Sequence, residues 1–112
     1  MNYPKFQLLR SSNSQYYFVL RSKGNGEVIL KASETYTTKQ NCNSAIDSVR
    51  INAPYDSRYT KKDSLSNYTF NLKAANGQIL SNSESYTSSS ARDNGIEAVK
   101  RDAPGAPVED LT

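Results

Sequence analysis

A chain of 112 residues with 36% hydrophobic residues and a mean hydropathy of -0.74 has material for one modest core, and without an apolar run of even ten residues neither a signal peptide nor a membrane-spanning helix is expected. Its 14 basic and 11 acidic residues give a net charge of +3, scattered with no run longer than Lys61-Lys62, so an anionic partner is permitted but not dictated. The absence of histidine removes the commonest general base and metal ligand, and the single cysteine, Cys42, excludes an intrachain disulfide and suits a reducing compartment, so the expected location is the cytoplasm.

In chain order, Met1 to Pro4 are expected to be a loose end, and Lys5 to Arg10 reads as a short strand with Phe6 and Leu8 on one face. Gln15 to Ser22 alternates cleanly, with Tyr16, Phe18 and Leu20 inward and Tyr17, Val19 and Arg21 outward, which predicts a half-buried strand. Lys23-Gly24-Asn25-Gly26 turns the chain back. Ser33 to Tyr36 lead into a helix starting near Thr37 or Thr38, and Thr37-x-x-Gln40 has capping-box spacing. Cys42, Ala45, Ile46, Val49 and Ala53 recur at helical spacing and form a stripe for the sheet. Ala53-Pro54 stops the helix, because a residue before proline disfavours the helical region. Tyr55-Asp56-Ser57 is a linker too short to separate two domains, and Arg58 to Lys62 is an extended segment with Tyr59 in the inward place of Phe6.

From Tyr68 to Pro104 the pattern is written again. At an offset of fifty, Ile29/Ile79, Leu30/Leu80, Ser33/Ser83, Glu34/Glu84, Tyr36/Tyr86, Ile46/Ile96, Val49/Val99 and Pro54/Pro104 are identical; before the turn the offset is fifty-two, as in Phe18/Phe70 and Leu20/Leu72. An insertion of two residues in the first hairpin loop preserves strand parity. A hairpin and one helix are too little to fold alone, so residues 1–112 are expected to form one domain from two repeats, about 5–54 and 57–111, sharing a core. Asn76-Gly77 predicts a two-residue type I′ loop that pairs Ala74 with Ile79. On that register Phe70, Leu72, Ala74 and Ile79 face the core, as do Phe18, Leu20 and Ile29. Gly95, the counterpart of Ala45, is expected to serve a close approach of the second helix, and Val108 to Leu111 reads as a short charged edge strand.

The motif F-x-L-K-A-x-N-G-Q-I-L-x-x-S-E-x-Y at Phe70 to Tyr86, followed by N-G-I-E-A-V-K at Asn94 to Lys100, resembles the YegP-like family of small bacterial proteins in its duplicated form. The resemblance runs from Phe6 to about Leu111. It implies an α+β fold of tandem β-β-β-α-β units forming one antiparallel-rich sheet, with exchanged end strands and two helices packed on one face. It implies no activity. The first copy departs from the motif in its longer loop and in having Ala45 where the second has Gly95.

Chemistry is sparse. Cys42 has no histidine to make its thiolate, its counterpart is Arg92, and it reads as a partly buried inert thiol. Gly24-Asn25-Gly26 joins two strands and opens no helix, so it is no phosphate loop. No cofactor or metal site is expected. Ser33, Glu34 and Tyr36 with Ser83, Glu84 and Tyr86 offer two carboxylates that would serve as acid and base if they met across a pseudo-two-fold axis. The simpler expectation is that each set closes a strand-to-helix corner. The remaining candidate is the outer sheet face, with Tyr17, Val19, Arg21, Leu30, Thr69, Asn71, Lys73 and Leu80. If no helix covers it, such a face suits a protein partner, a second copy, or single-stranded nucleic acid stacked on the sheet. The expected function is a non-catalytic interaction module; nucleic-acid binding through this face stands second, and an enzyme with a Ser/Glu/Tyr site third.

Overall fold

The computed structural model describes residues 3–112; the loose end expected at Met1 and Asn2 lies outside the described residues. The chain forms β1 (Lys5–Arg10), β2 (Tyr16–Arg21), β3 (Val28–Ala32), α1 (Lys39–Asn52), a 3-10 turn (Asp56–Arg58), β4 (Tyr59–Ser64), β5 (Asn67–Lys73), β6 (Ile79–Asn82), α2 (Ser89–Asp102) and β7 (Val108–Asp110). All seven strands join one sheet in the order β4-β5-β6-β3-β2-β1-β7. Each copy is an antiparallel meander, and the two meet where Ala32 of β3 pairs with Ser81 of β6. The chain leaving α2 crosses to the first copy, where β7 lies parallel to β1 with Phe6 opposite Val108.

Both helices pack on one face of this sheet, and a single buried cluster takes Phe6, Phe18, Leu20, Phe70 and Leu72 from strands with Ile46, Val49, Ile96 and Val99 from helices. Each of these side chains contributes about 1.5–3 kcal/mol by burial. Phe6 meets Phe18 edge to face at 6.1 Å, and Tyr59 meets Phe70 in the same way at 5.8 Å, so Tyr59 fills in the second copy the place Phe6 fills in the first. No helix among the described residues is long and apolar enough to cross a membrane.

The helices start one residue later than the capping-box spacing suggests. Thr38 and Ser88 accept from the N–H groups of Asn41 and Ala91, so Thr37 and Gln40 form no box. At the other end Ala53 and Ala103 are themselves helical (φ -55, ψ -36 and φ -64, ψ -43) and close the last turn on the carbonyls of Val49 and Val99. The helices thus stop where expected but not through the conformation of the residue before each proline; the prolines have no N–H with which to continue the ladder.

The second hairpin corrects the expected register. Gly77 N–H donates to Ala74 O and Ala74 N–H to Gln78 O, and of the two expected loop residues Gly77 alone has a positive φ, +88. A type I′ turn needs positive φ at both positions, so this is instead a three-residue loop closed by a left-handed glycine. The added loop residue is absorbed by a bulge: the ladder shifts between Leu72 and Lys73, and its counterpart shifts between Leu20 and Arg21. Two consecutive residues of each returning strand are therefore buried, Ile29 with Leu30 and Leu80 with Ser81. Leu30 (0% exposed) and Leu80 (7%) belong to the core and not to the outer face, whereas Ile79, expected inside, is 43% exposed.

Gly95 is tight against the corner tyrosine rather than against the sheet. A β-carbon there would stand 2.5 Å from the Tyr86 hydroxyl oxygen and 2.8 Å from its Cζ. Gly95→Ala gains about 1 kcal/mol of helix propensity but forces the ring aside at a cost of about 1–3 kcal/mol. The expected result is a melting temperature lower by about 4 °C, partly restored by Tyr86→Phe in the same chain. A rise in melting temperature for Gly95→Ala alone would show that the ring yields freely.

Candidate functional site

With both helices on one side, the opposite sheet face carries no helix among the described residues. Strand alternation decides what it carries. Gln7 pairs with Val19 and Val19 with Lys31, opposite in sense to the core pairs Phe6–Leu20–Leu30. In the other half Thr60 pairs with Asn71, Lys62 with Thr69 and Lys73 with Ile79. The face therefore presents Lys5, Arg21, Lys31, Lys62 and Lys73, and Glu109 is the one acid that a strand places there among the described residues.

These charges are unequally available. Lys5 is 6% exposed and its Nζ sits 3.1 Å from Glu109, which also accepts from Gln7 Nε2 at 2.8 Å; the Gln7 and Lys5 bonds hold the Glu109 carboxyl below the usual range. Arg21 donates to Gln7 Oε1 at 2.7 Å and to the Gly26 carbonyl at 2.8 Å, so it braces the first hairpin. Lys31 is exposed, with its Nζ 5.4 Å from the centre of the Tyr17 ring. Lys62 is exposed and Lys73 half-buried.

Of the eight residues expected on this face, Tyr17, Val19, Arg21, Thr69, Asn71 and Lys73 lie there, and Leu30 and Leu80 do not. Val19 is nearly closed off, flanked in the ladder by Gln7 and Lys31. Sequence reasoning missed Lys31 and Lys62. Lys62 was legible, since Tyr59 inward places it outward; Lys31 was hidden by the bulge that inverts parity before it. Two shallow hollows mark the face. One, of about 480 Å³, is bounded by Arg10, Tyr17, Lys31 and the acid Glu34. The other, of about 510 Å³, is bounded by Thr60, Lys62, Thr69, Asn71 and Asn82, and the Asn71 Oδ1 is closed off from solvent without a hydrogen-bond partner.

The Ser/Glu/Tyr sets act as corners. Tyr36 and Tyr16 exchange backbone hydrogen bonds at 2.7 and 2.8 Å, and Tyr86 and Tyr68 do so at 2.9 Å. Ser33 Oγ donates to the Ile79 carbonyl across the junction of the copies, whereas Ser83 Oγ accepts from Phe70 N–H within its own copy. Glu34 and Glu84 are exposed and border different hollows, so they share no cleft in which to divide acid and base roles. Burial pushes the Tyr36 hydroxyl up to about 12, with Glu34 adding to the shift, and burial together with Glu27 of the first copy and Glu84 raises Tyr86.

Cys42 is buried in the core, and burial pushes its thiol up to about 11, which keeps it protonated. At the matching place in α2, Arg92 is 3% exposed. Its guanidinium bonds to Asp63 of β4 and, at 2.9 Å, to Asp93; the Asp63 bond, acting against burial, raises its pKa further, so the group is charged. It also lies 5.8 Å from the Tyr68 ring centre.

What the fold and the face define is a class of small α+β protein: two copies of a meander and helix fused into one sheet, with helices on one side and a basic, partly aromatic face on the other. This chain belongs to the family described as "Domain of unknown function (DUF1508)", whose profile matches residues 11–59 and again 63–110. It is 46% identical over 108 residues to a UPF0339 protein of Shewanella oneidensis, covering 96% of both chains. Its fold is similar to the solution NMR structure of a UPF0339 protein from Shewanella oneidensis, with a TM-score of 0.88 at 45% identity over 96% of this chain and 91% of that one. It is equally similar to the NMR structure of the Escherichia coli protein of unknown function yegP, with a TM-score of 0.88 at 42% identity over 100% and 96% of the two chains.

Proposed function

We propose that the protein is a non-catalytic binding module that works through the helix-free face of its sheet, and that the ligand is single-stranded nucleic acid. The observation that carries this reading is the charge balance of the face: with Lys5 and Glu109 neutralising one another, Arg21, Lys31, Lys62 and Lys73 remain without an opposing acid on the strands. Tyr17 supplies an aromatic surface for a base, and the separate hollow around Asn71, across β3 and β6 on the same face, supplies hydrogen-bonding groups. Such an arrangement holds a backbone by its phosphates and reads little sequence.

The test uses fluorescence anisotropy of a labelled single-stranded oligonucleotide. If three or four phosphates are neutralised, affinity falls roughly 20- to 50-fold between about 50 and 200 mM salt. Lys31→Glu with Lys62→Glu is expected to abolish the binding with little change in melting temperature, because exposed charges contribute little to folding. Arg21 is a poor choice for this test, since its bonds to Gln7 and Gly26 make reversal structural. The nucleic-acid reading fails if nothing binds at low salt or if the double reversal binds as tightly as the parent. Binding of a protein partner lost on Tyr17→Ala would retain the face and change the ligand.

A further inference from the structure

The duplication leaves one strand seat filled and its counterpart open. Leu20 and Leu72 are repeat partners, and Phe6 pairs with one as Tyr59 pairs with the other, so β1 and β4 are equivalent strands. On the far side of β1 lies β7, held there by Phe6 N–H to Pro107 O at 2.8 Å and Leu111 N–H to Leu8 O at 3.0 Å. On the far side of β4 no strand follows among the described residues. Tyr59 and Lys61 stand where Phe6 and Leu8 stand, and Asp63 is two residues further on, so these three turn their N–H and C=O groups away from β5 to a free edge.

Beside that edge, between β4 and α2, lies a hollow of about 810 Å³ whose apolar part is Tyr59 and Ile96. Asp56, Asp93 and Glu97 outnumber Lys61 and Lys100 on its walls, and Lys100 is already held by Asp56 and Glu97. Lys61 rests 3.1 Å from Asp93, which also accepts from Arg92 at 2.9 Å and so keeps a cation if Lys61 turns away. An occupant of this seat must bring a backbone to pair with, an apolar side chain for Tyr59 and Ile96, and no surplus of acid. Strand β4 and the turn after it meet all three needs. Lys61-Lys62-Asp63 carries one more base than acid, and Leu65, 95% exposed, is the most exposed large apolar side chain among the described residues.

We propose that β4 pairs antiparallel with β4 of a second copy of this chain, about a two-fold axis at Lys62. Register selects that axis. Centred on Lys62, the pairing sets Lys61 opposite Asp63 of the second copy and Asp63 opposite its Lys61, on the helix side of the sheet, with the edge groups of both residues free to exchange backbone bonds. The same register carries Leu65 to the level of Tyr59 of the second copy, at the apolar part of its hollow. Centred on Lys61 or on Asp63, the axis would set that charge against its own mate. Asp63 is well exposed and reaches the second copy's Lys61 without giving up Arg92. Lys62 does meet its own mate at the axis, on the outer face, and this like-charge pair keeps the dimer weak. Lysines on an edge oppose indiscriminate pairing, and here they admit a strand that brings an acid opposite Lys61. The pairing does not depend on what the outer face binds.

The experiment follows the full protein by NMR diffusion and backbone amide shifts across a concentration series. A reversible monomer–dimer equilibrium with a Kd of about 0.1–1 mM is expected, with shifts at Tyr59 to Leu65 and at Asp93 to Glu97. Leu65→Ser is expected to weaken the dimer roughly tenfold; the side chain is exposed in the monomer, so this variant separates a lost contact from a lost fold. Lys61→Asp, which sets acid against acid twice, is expected to weaken it by at least as much. Lys62→Gln is expected to tighten it about two- to fivefold, because the repulsion at the axis is gone. A protein still monomeric at about 1 mM, a dimer that Leu65→Ser leaves unchanged, a dimer that Lys62→Gln weakens, or concentration-dependent shifts confined to β7 and the outer face would each overturn the proposal.

Discussion

Leu30→Asp is expected to leave the protein unfolded at room temperature, while Ile79→Asp costs less than about 1 kcal/mol. Leu30 has no exposed surface, pairs with Leu20 and packs in the single core cluster, so a carboxylate there is buried without a partner. Such a group costs several kcal/mol even after partial relaxation, against a total stability of about 5–15 kcal/mol for a domain of this kind. Ile79 is nearly half exposed and opposite Lys73 on the outer face, where an acid gains a cationic neighbour. Circular dichroism with urea titration measures both. Unbroken ladders in the two hairpins, without the shifts after Leu20 and Leu72, would reverse the order, with Ile79→Asp the damaging change and Leu30→Asp tolerated, so the comparison tests the bulges directly.

Arg92→Ala is expected to cost about 3 kcal/mol, and Arg92→Met less than half of that. The guanidinium is buried beside Tyr68 and fastens Asp63 near the far end of β4, an edge strand whose other side chains after Tyr59 are exposed. Alanine loses both the packing and the fastening, whereas methionine keeps the volume. Beyond the global loss, hydrogen exchange of the β4 amides should rise far more than that of β1, because β1 is clamped by β7 and does not depend on Arg92. An alanine variant within about 0.5 kcal/mol of the parent, with β4 exchange unchanged, would mean that strand pairing alone holds the edge.

Much of the architecture was legible because it is local. Alternation in Tyr16 to Arg21 and in Tyr68 to Lys73, the stripes through Ile46 and Ile96, and the Ala-Pro stops each lie within one element, and the structure places them as read. The offset of fifty also announced that whatever one copy builds the other repeats. Its limits lie where the copies differ in what they touch. Cys42 and Arg92 occupy the same helical place, yet one fills the core and the other reaches through to an edge strand; no pattern in the sequence says which carboxylate Arg92 will find. The site was half legible: Tyr17, Arg21, Thr69, Asn71 and Lys73 follow from parity, whereas Leu30, Leu80 and Lys31 do not.

The sequence by itself determined that the chain is two copies of hairpin plus helix with one side of each element apolar, since periods of two and of 3.6 are set by backbone geometry. Only the tertiary structure decided the register after each turn, because one left-handed glycine and one bulge exchange the two faces of a strand at little local cost. It alone decided that the copies join at β3 and β6 and that the last strand crosses to β1, contacts that depend on the whole sheet closing over a shared core. From those choices come the gathering of Arg21, Lys31, Lys62 and Lys73 on one uncovered face and the open seat beside β4, neither of which resides in any single stretch of the chain.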